Sequence, residues 1–224
     1  MRRRGLLLVG LGASLAATPA GRAVAQSHPP PPRGSWFDPT QLPSFTGTVE
    51  RWLIDPAGSY DRLLFREGAQ VVFPPHLSEP MREAAHPGQP ITVWGVRARN
   101  APVVTMLAWS ADPDGTPNFV DRPAWFTPTD LRGTEPLQAA GNVRAPLLSP
   151  QGDTIGAILD DGSVLRMAPE VAAEHVAAGR HLAAAGLGSR RDGVVAFDVA
   201  RLGSDADRMT PVAPSPAPPA EPRR

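Results

Sequence analysis

Glycine and proline recur in the same order in two stretches of this chain, and that recurrence constrains the fold more than any bulk property does. Gly47-Thr-Val49 is matched by Gly141-Asn-Val143, 94 residues later. The same offset pairs Pro56 with Pro150, Gly58 with Gly152, Gly68 with Gly162 and Pro75 with Pro169. The second copy is then three residues shorter, and an offset of 91 pairs Gly88 with Gly179, Gly95 with Gly186 and Val103-Val104 with Val194-Val195. These residue types punctuate chains for steric reasons, so an ordered series with one gap points to an internal duplication. The copies run from Phe45 to Trp109 and from Ala139 to Gly203.

Each copy reads as one series of elements. Phe45 to Ile54 predicts a strand, closed by a Pro56-Ala57-Gly58 turn. Tyr60 to Arg66 and Gln70 to Phe73 predict two strands joined at Glu67-Gly68. Asp161-Gly162 stands at that junction in the second copy, and both residue types tolerate positive φ. A short helix follows at about Glu79 to His86, with Ser78 as N-cap and Pro87-Gly88 as its stop. Its counterpart is about Glu170 to Ala178. Ile91 to Arg97 and Val103 to Trp109 complete the first copy; His181 to Leu187 and Val194 to Leu202 complete the second. Five strands with a helix between the third and fourth is the layout of an OB (oligonucleotide/oligosaccharide-binding) barrel. An SH3-like barrel is the alternative, and the position of the helix favours the OB layout. The fold expected is all-β: two tandem OB-like five-stranded barrels, each with one short helix.

The flanking segments speak to compartment. Arg2 to Arg4 form a positive n-region, Leu6 to Ala17 an apolar run of about a dozen residues, and Ala23-Val24-Ala25 a cleavage signature. Residues 1–25 thus read as a signal peptide, by the general or the twin-arginine route, and the expected location is periplasmic or secreted. An uncleaved anchor is the alternative, against which the run is short for a bilayer. Residues 26–44, with Pro29 to Pro32, read as a Pro-rich tether, 110–138 as a linker and 204–224 as a disordered Pro/Ala-rich tail. No other stretch reaches membrane-spanning length.

Residues Leu64-Phe-Arg-Glu-Gly68, Val72-Phe-Pro-Pro-His-Leu77, Pro87-Gly88 and Val93-Trp-Gly95 carry a family likeness. In these the chain resembles a group of uncharacterised exported bacterial proteins described as OB-fold proteins. The second copy keeps Leu159-Asp-Asp-Gly162 and Pro169 but has Arg166-Met-Ala-Pro-Glu-Val171 in place of the F-P-P-H-L segment. The resemblance implies a fold and carries no activity.

The chemical inventory is narrow. The chain has no cysteine and no lysine, which excludes thiol catalysis, cysteine zinc sites, a P-loop and Schiff-base chemistry. Four of its 22 basic residues lie in 1–25, leaving 18 arginines against 22 acids, a net charge of −4. That balance disfavours nucleic acid as a partner. His28, His76, His86, His175 and His181 form no metal-binding spacing, and no nucleophile elbow occurs in the mature chain. No catalytic residue, metal or cofactor is therefore expected. Alternation along the first and fourth strands places Val49, Leu53, Ile91 and Val93 inside. Trp52 and Trp94 then point outward, with Arg51, Arg97 and Arg99 nearby, as a candidate stacking platform. Packing of both tryptophans against the linker (Phe119, Trp125, Phe126) or the other barrel is the alternative. The second copy has Pro146 and Ala185 at those places. The expected function is non-enzymatic binding of an envelope protein or other extracytoplasmic ligand; the alternative is single-stranded nucleic-acid or oligosaccharide binding on barrel 1.

Overall fold

Alternating burial along the strands builds two barrels. The computed structural model describes residues 38–112, 115–121 and 134–212. The stretch read as a signal peptide, the Pro29–Pro32 run, most of the stretch read as linker with Trp125 and Phe126, and residues 213–224 lie outside them. Barrel 1 comprises β1 (Ser44–Ile54), β2 (Tyr60–Phe65), β3 (Gln70–Val72), α1 (Ser78–Ala84), β4 (Pro90–Arg97) and β5 (Val103–Ser110), with a short β6 (Asn118–Phe119). Barrel 2 repeats this as β7 (Glu135–Leu148), β8 (Thr154–Leu159), β9 (Val164–Arg166), α2 (Pro169–His175), β10 (His181–Arg191), β11 (Val194–Gly203) and β12 (Thr210–Pro211). In barrel 1 the strand order is β3-β2-β1-β4-β5, and β3 closes the ring by pairing in parallel with β5. Barrel 2 closes the same way, through β9 and β11. This is the OB topology expected. Val49, Leu53, Ile91 and Val93 are all buried, as alternation requires.

Irregularities recur with the strands. β1 shifts register between Val49 and Arg51 and between Leu53 and Ile54; β7 does so at the matching Val143/Ala145 and Leu147/Leu148. β4 shifts between Trp94 and Gly95, and β10 between Ala185 and Gly186. At Gly95 and Gly186 a Cβ would run into the carbonyl of Thr105 or Asp198 on the adjacent strand, so both bulges require glycine.

The structure also corrects the alignment. Pro169 opens α2 as Ser78 opens α1, so Pro169 matches Ser78 and not Pro75. The three residues missing from the second copy are the 3-10 turn Pro75–Leu77. Ser78 is therefore inside the helix, and Leu77 caps it without a side-chain bond. Val103 pairs with Gln70 while Ala196 pairs with Val164, so the β10–β11 hairpin is two residues longer than its counterpart. Its turn, Asp192-Gly193, has positive φ at both residues (49° and 82°), as a tight two-residue hairpin demands. At Asp161-Gly162 only the glycine has positive φ, and the Asp161 carboxylate instead accepts from the Ser163 N–H (2.8 Å). Barrel 2 begins at Glu135, inside the stretch read as linker. Residues 204–212, read as tail, form a 3-10 turn and β12, with Met209 buried.

The barrels face each other about an approximate two-fold axis. The turn after β1 meets the β10–β11 hairpin at Gly58 and Ser189, and the turn after β7 meets the β4–β5 loop at Gly152 and Ala98. Gly58 and Gly152 are equivalent, and so are Ala98 and Ser189. Glu50 forms an ion pair (2.9 Å) with Arg144, its own counterpart 94 residues on, as residues near a dyad must. Leu147, Ile158, Val164 and Ala196 of barrel 2 belong to one buried cluster with Leu53, Leu63, Phe73 and other barrel 1 residues.

At the centre of the contact Gln70 is 1% exposed. Its Nε2 donates to the Pro146 carbonyl (2.6 Å) and its Oε1 accepts from the Leu148 N–H (3.1 Å), much as a peptide group on a neighbouring strand would. Buried Arg62 donates to Gln70 Oε1 (2.9 Å) and to the Leu148 carbonyl (2.6 Å). Leucine at position 70 would strand these polar groups in a dry interface, where each unpaired group costs about 1–3 kcal/mol. Gln70→Leu is therefore expected to destabilise the chain by about 2–4 kcal/mol in urea unfolding; a change below 0.5 kcal/mol would show that the bonds are dispensable.

Candidate functional site

The strand 2–3 face and the loops after strands 1 and 4 are the surfaces OB modules offer to ligands. Here both barrels turn those surfaces toward each other. Tyr60, Arg62, Leu63, Gln70 and Val71 in β2 and β3 are buried, as are Ala157, Ile158, Val164 and Leu165 in β8 and β9.

A cavity of about 50 Å³ remains between them. Its polar wall is Asp55, Asp61, Arg62 and Arg166; Leu53, Ile54, Leu147, Ile155 and Val164 supply the apolar part. Each charge has a structural reason for its position. Asp55 follows β1 and braces the turn by accepting from the Ser59 N–H (2.9 Å). Arg166, at the end of β9, is held by Asp198 through a two-point ion pair (2.6 and 2.9 Å). Asp61 is half-buried on β2. Burial pushes its carboxyl up to about 6, only partly opposed by Arg62 and Arg166. Burial also raises Asp55, against hydrogen bonds from the Ser59, Ala57 and Gly58 backbone. Two acids of raised pKa and two guanidinium groups thus share a space of a few waters, closed on both sides by barrel.

A second polar contact lies at the rim. The longer β10–β11 hairpin reaches across to barrel 1, where the Tyr60 hydroxyl donates to Asp192. The guanidinium groups of Arg82 and Arg191 lie 4.1 and 4.6 Å from the centroid of the Tyr60 ring, within cation–π range. Arg191 also pairs with Glu79 (3.1 Å), and Arg82 with Asp192 (3.2 Å). The loop that would serve barrel 2 as a ligand arm is occupied by barrel 1.

The residues singled out from sequence fall in different places. Arg51 donates to the Asp160 carbonyl (3.0 Å), lies 3.6 Å from Glu50 and packs against Gly162, so it belongs to the inter-barrel contact. Trp52 is half-buried, edge-on to Phe73 with centroids 5.7 Å apart. Trp94 is half-buried opposite Ser44, whereas Trp52 stands opposite Leu63. Ser44 and Trp52 are separated along β1 by about 25 Å at roughly 3.3 Å per residue. The tryptophans therefore do not share one platform. Arg97 and Arg99 are exposed. His76 contacts Asp121 (2.7 Å), tying the 3-10 turn to the chain beyond β6. The inter-barrel polar groups escaped sequence reading because Asp61, Arg62 and Gln70 gain their meaning only when a second barrel covers them. No family model, curated protein or solved structure matches this chain.

The raised carboxyl of Asp61 sets a pH dependence. Its folded value of about 6 exceeds the unfolded one of about 3.9. The folded state thus holds this proton more tightly, and stability falls as pH rises between the two values, then levels. Asp61→Asn removes that liability. The variant is expected to be more stable than the parent at pH 7.5, by on the order of 2 kcal/mol, with the gap closing toward pH 4. Equal or lower stability at pH 7.5 would contradict the assignment.

Proposed function

We propose that this chain is a non-enzymatic, exported binding protein of the bacterial envelope. Its two barrels act as one scaffold that contacts a protein partner. The likeness to exported OB-fold proteins and the signal-like N-terminus support the compartment. One observation carries the binding reading. Val96 and Leu187 are the large apolar side chains left exposed among the described residues, at 54% and 56%. They occupy equivalent positions, each directly after the bulge glycine of β4 or β10, and each is followed three residues on by an exposed arginine, Arg99 or Arg190. Exposed apolar side chains suit a protein interface, and their repetition at equivalent positions in both barrels is hard to attribute to chance exposure.

Oligosaccharide or single-stranded nucleic-acid binding on barrel 1 is the second reading. It draws on the exposure of Arg97 and Arg99 and on the half-exposed Trp94. The engagement of Arg51 and Trp52 elsewhere weakens it, as does the burial of the usual ligand face.

The mature chain, immobilised against envelope extract, is expected to retain a defined partner that Val96→Asp with Leu187→Asp releases. Melting temperature should stay unchanged, since both positions lie on the surface. Identical retention by parent and double variant would overturn the reading. So would turnover of a glycan, ester or phosphoester that one substitution abolishes.

A further inference from the structure

A second cavity, of about 180 Å³, lies at the end of barrel 2 opposite the Asp192-Gly193 hairpin. Four basic side chains from four places in the chain line it: His175 at the end of α2, Arg180 in the turn that follows, His181 at the start of β10 and Arg208 in the 3-10 turn after β11. No acid lines it. Its floor is apolar, formed by Leu182 and Leu202, both buried, with Val212 beside them. Ser204 and Thr210 bring hydroxyls to the wall. The acids outside are Glu174, 3.9 Å from His175, and Asp205, 3.7 Å from Arg208. Arg180 is held by the Glu174 carbonyl (3.2 Å), and His181 Nδ1 meets Asn142 Oδ1 (3.2 Å), so both are fixed at the mouth.

The sister barrel serves as an internal comparison. With strand pairing as the guide, His175, Arg180 and His181 correspond to Ala84, Gln89 and Pro90, and Arg208 to Thr116. Every basic residue of the cavity is neutral in the other copy. Duplication alone does not supply such a cluster; it belongs to barrel 2.

We propose that this cavity binds a small organic carboxylate. The anionic head sits among Arg180, Arg208, His175 and His181, and the apolar body rests on Leu182, Leu202 and Val212. A carboxylate accepts two donors from a guanidinium at once, and a floor of leucine and valine favours a hydrocarbon body over a compact inorganic anion. The site is separate from the surface around Val96 and Leu187, so either proposal can fail alone.

Titration calorimetry of the mature protein with hexanoate, hexylamine and inorganic phosphate tests this. Hexanoate is expected to bind saturably, phosphate at least tenfold more weakly and hexylamine not at all. Arg180→Gln with Arg208→Gln should weaken hexanoate at least tenfold, while Arg66→Gln, exposed on barrel 1 and outside the cavity, should leave it unchanged. Amide shift mapping on the unmodified protein gives a readout that does not depend on how the variant folds, with shifts expected at 180–182 and 202–204. The proposal is overturned if hexanoate does not saturate, if its shifts fall elsewhere, if the arginine variant binds as well as the parent, or if phosphate binds as tightly as hexanoate.

Discussion

A buried side-chain amide at the meeting of two barrels is the interaction on which this structure turns. Gln70 sits on the outer face of β3, which an isolated OB module would leave to solvent or to a ligand. Here its amide pairs with the Pro146 carbonyl and the Leu148 N–H of the sister barrel. Polar groups removed from water need partners, and only one placement of barrel 2 supplies them. The apolar cluster around it contributes most of the driving force, but it is non-directional. Gln70 and Arg62 fix which way the barrels face.

That placement decides what the molecule has left for binding. Each barrel buries the face an OB module ordinarily offers, and each first loop meets the other barrel's fourth loop. The contact is close to symmetric in outline, as the Glu50–Arg144 pair shows. Its chemistry is not. Arg62 and Gln70 have Gly156 and Val164 as counterparts, and Arg166 has Val72. The charged cavity consequently lies to one side of the axis, and the longer hairpin of barrel 2 alone carries the Arg191 and Asp192 that engage Tyr60. The surfaces left open are the outer strands and the far end of barrel 2, where the two proposals place their contacts.

Much of the fold was legible in the sequence because turns are written in glycine and proline. The order of those residues gave the duplication, the strand count and the helix position, and the bulges at Gly95 and Gly186 fall where glycine was matched. What sequence misplaced was length within a conserved outline. Pro75 and Pro169 look equivalent because both are prolines near a helix, yet the deletion precedes Pro169. The β10–β11 hairpin gained two residues that pattern matching absorbed by aligning two valine pairs. The candidate site was less legible. Alternation points Trp52 and Trp94 out of barrel 1, but it gives only which face a residue takes; both are half-buried, Trp52 against the core cluster. Bulges and the arrival of a second barrel decided where Arg51 and Trp52 ended up.

The central claim is that two barrels joined through their ligand faces form one cooperative unit. Scanning calorimetry of residues 26–224 tests it most directly. The account predicts one transition whose van't Hoff enthalpy equals the calorimetric enthalpy. Two resolved transitions, or a van't Hoff enthalpy near half the calorimetric value, would mean that each barrel folds and melts by itself and would contradict the account.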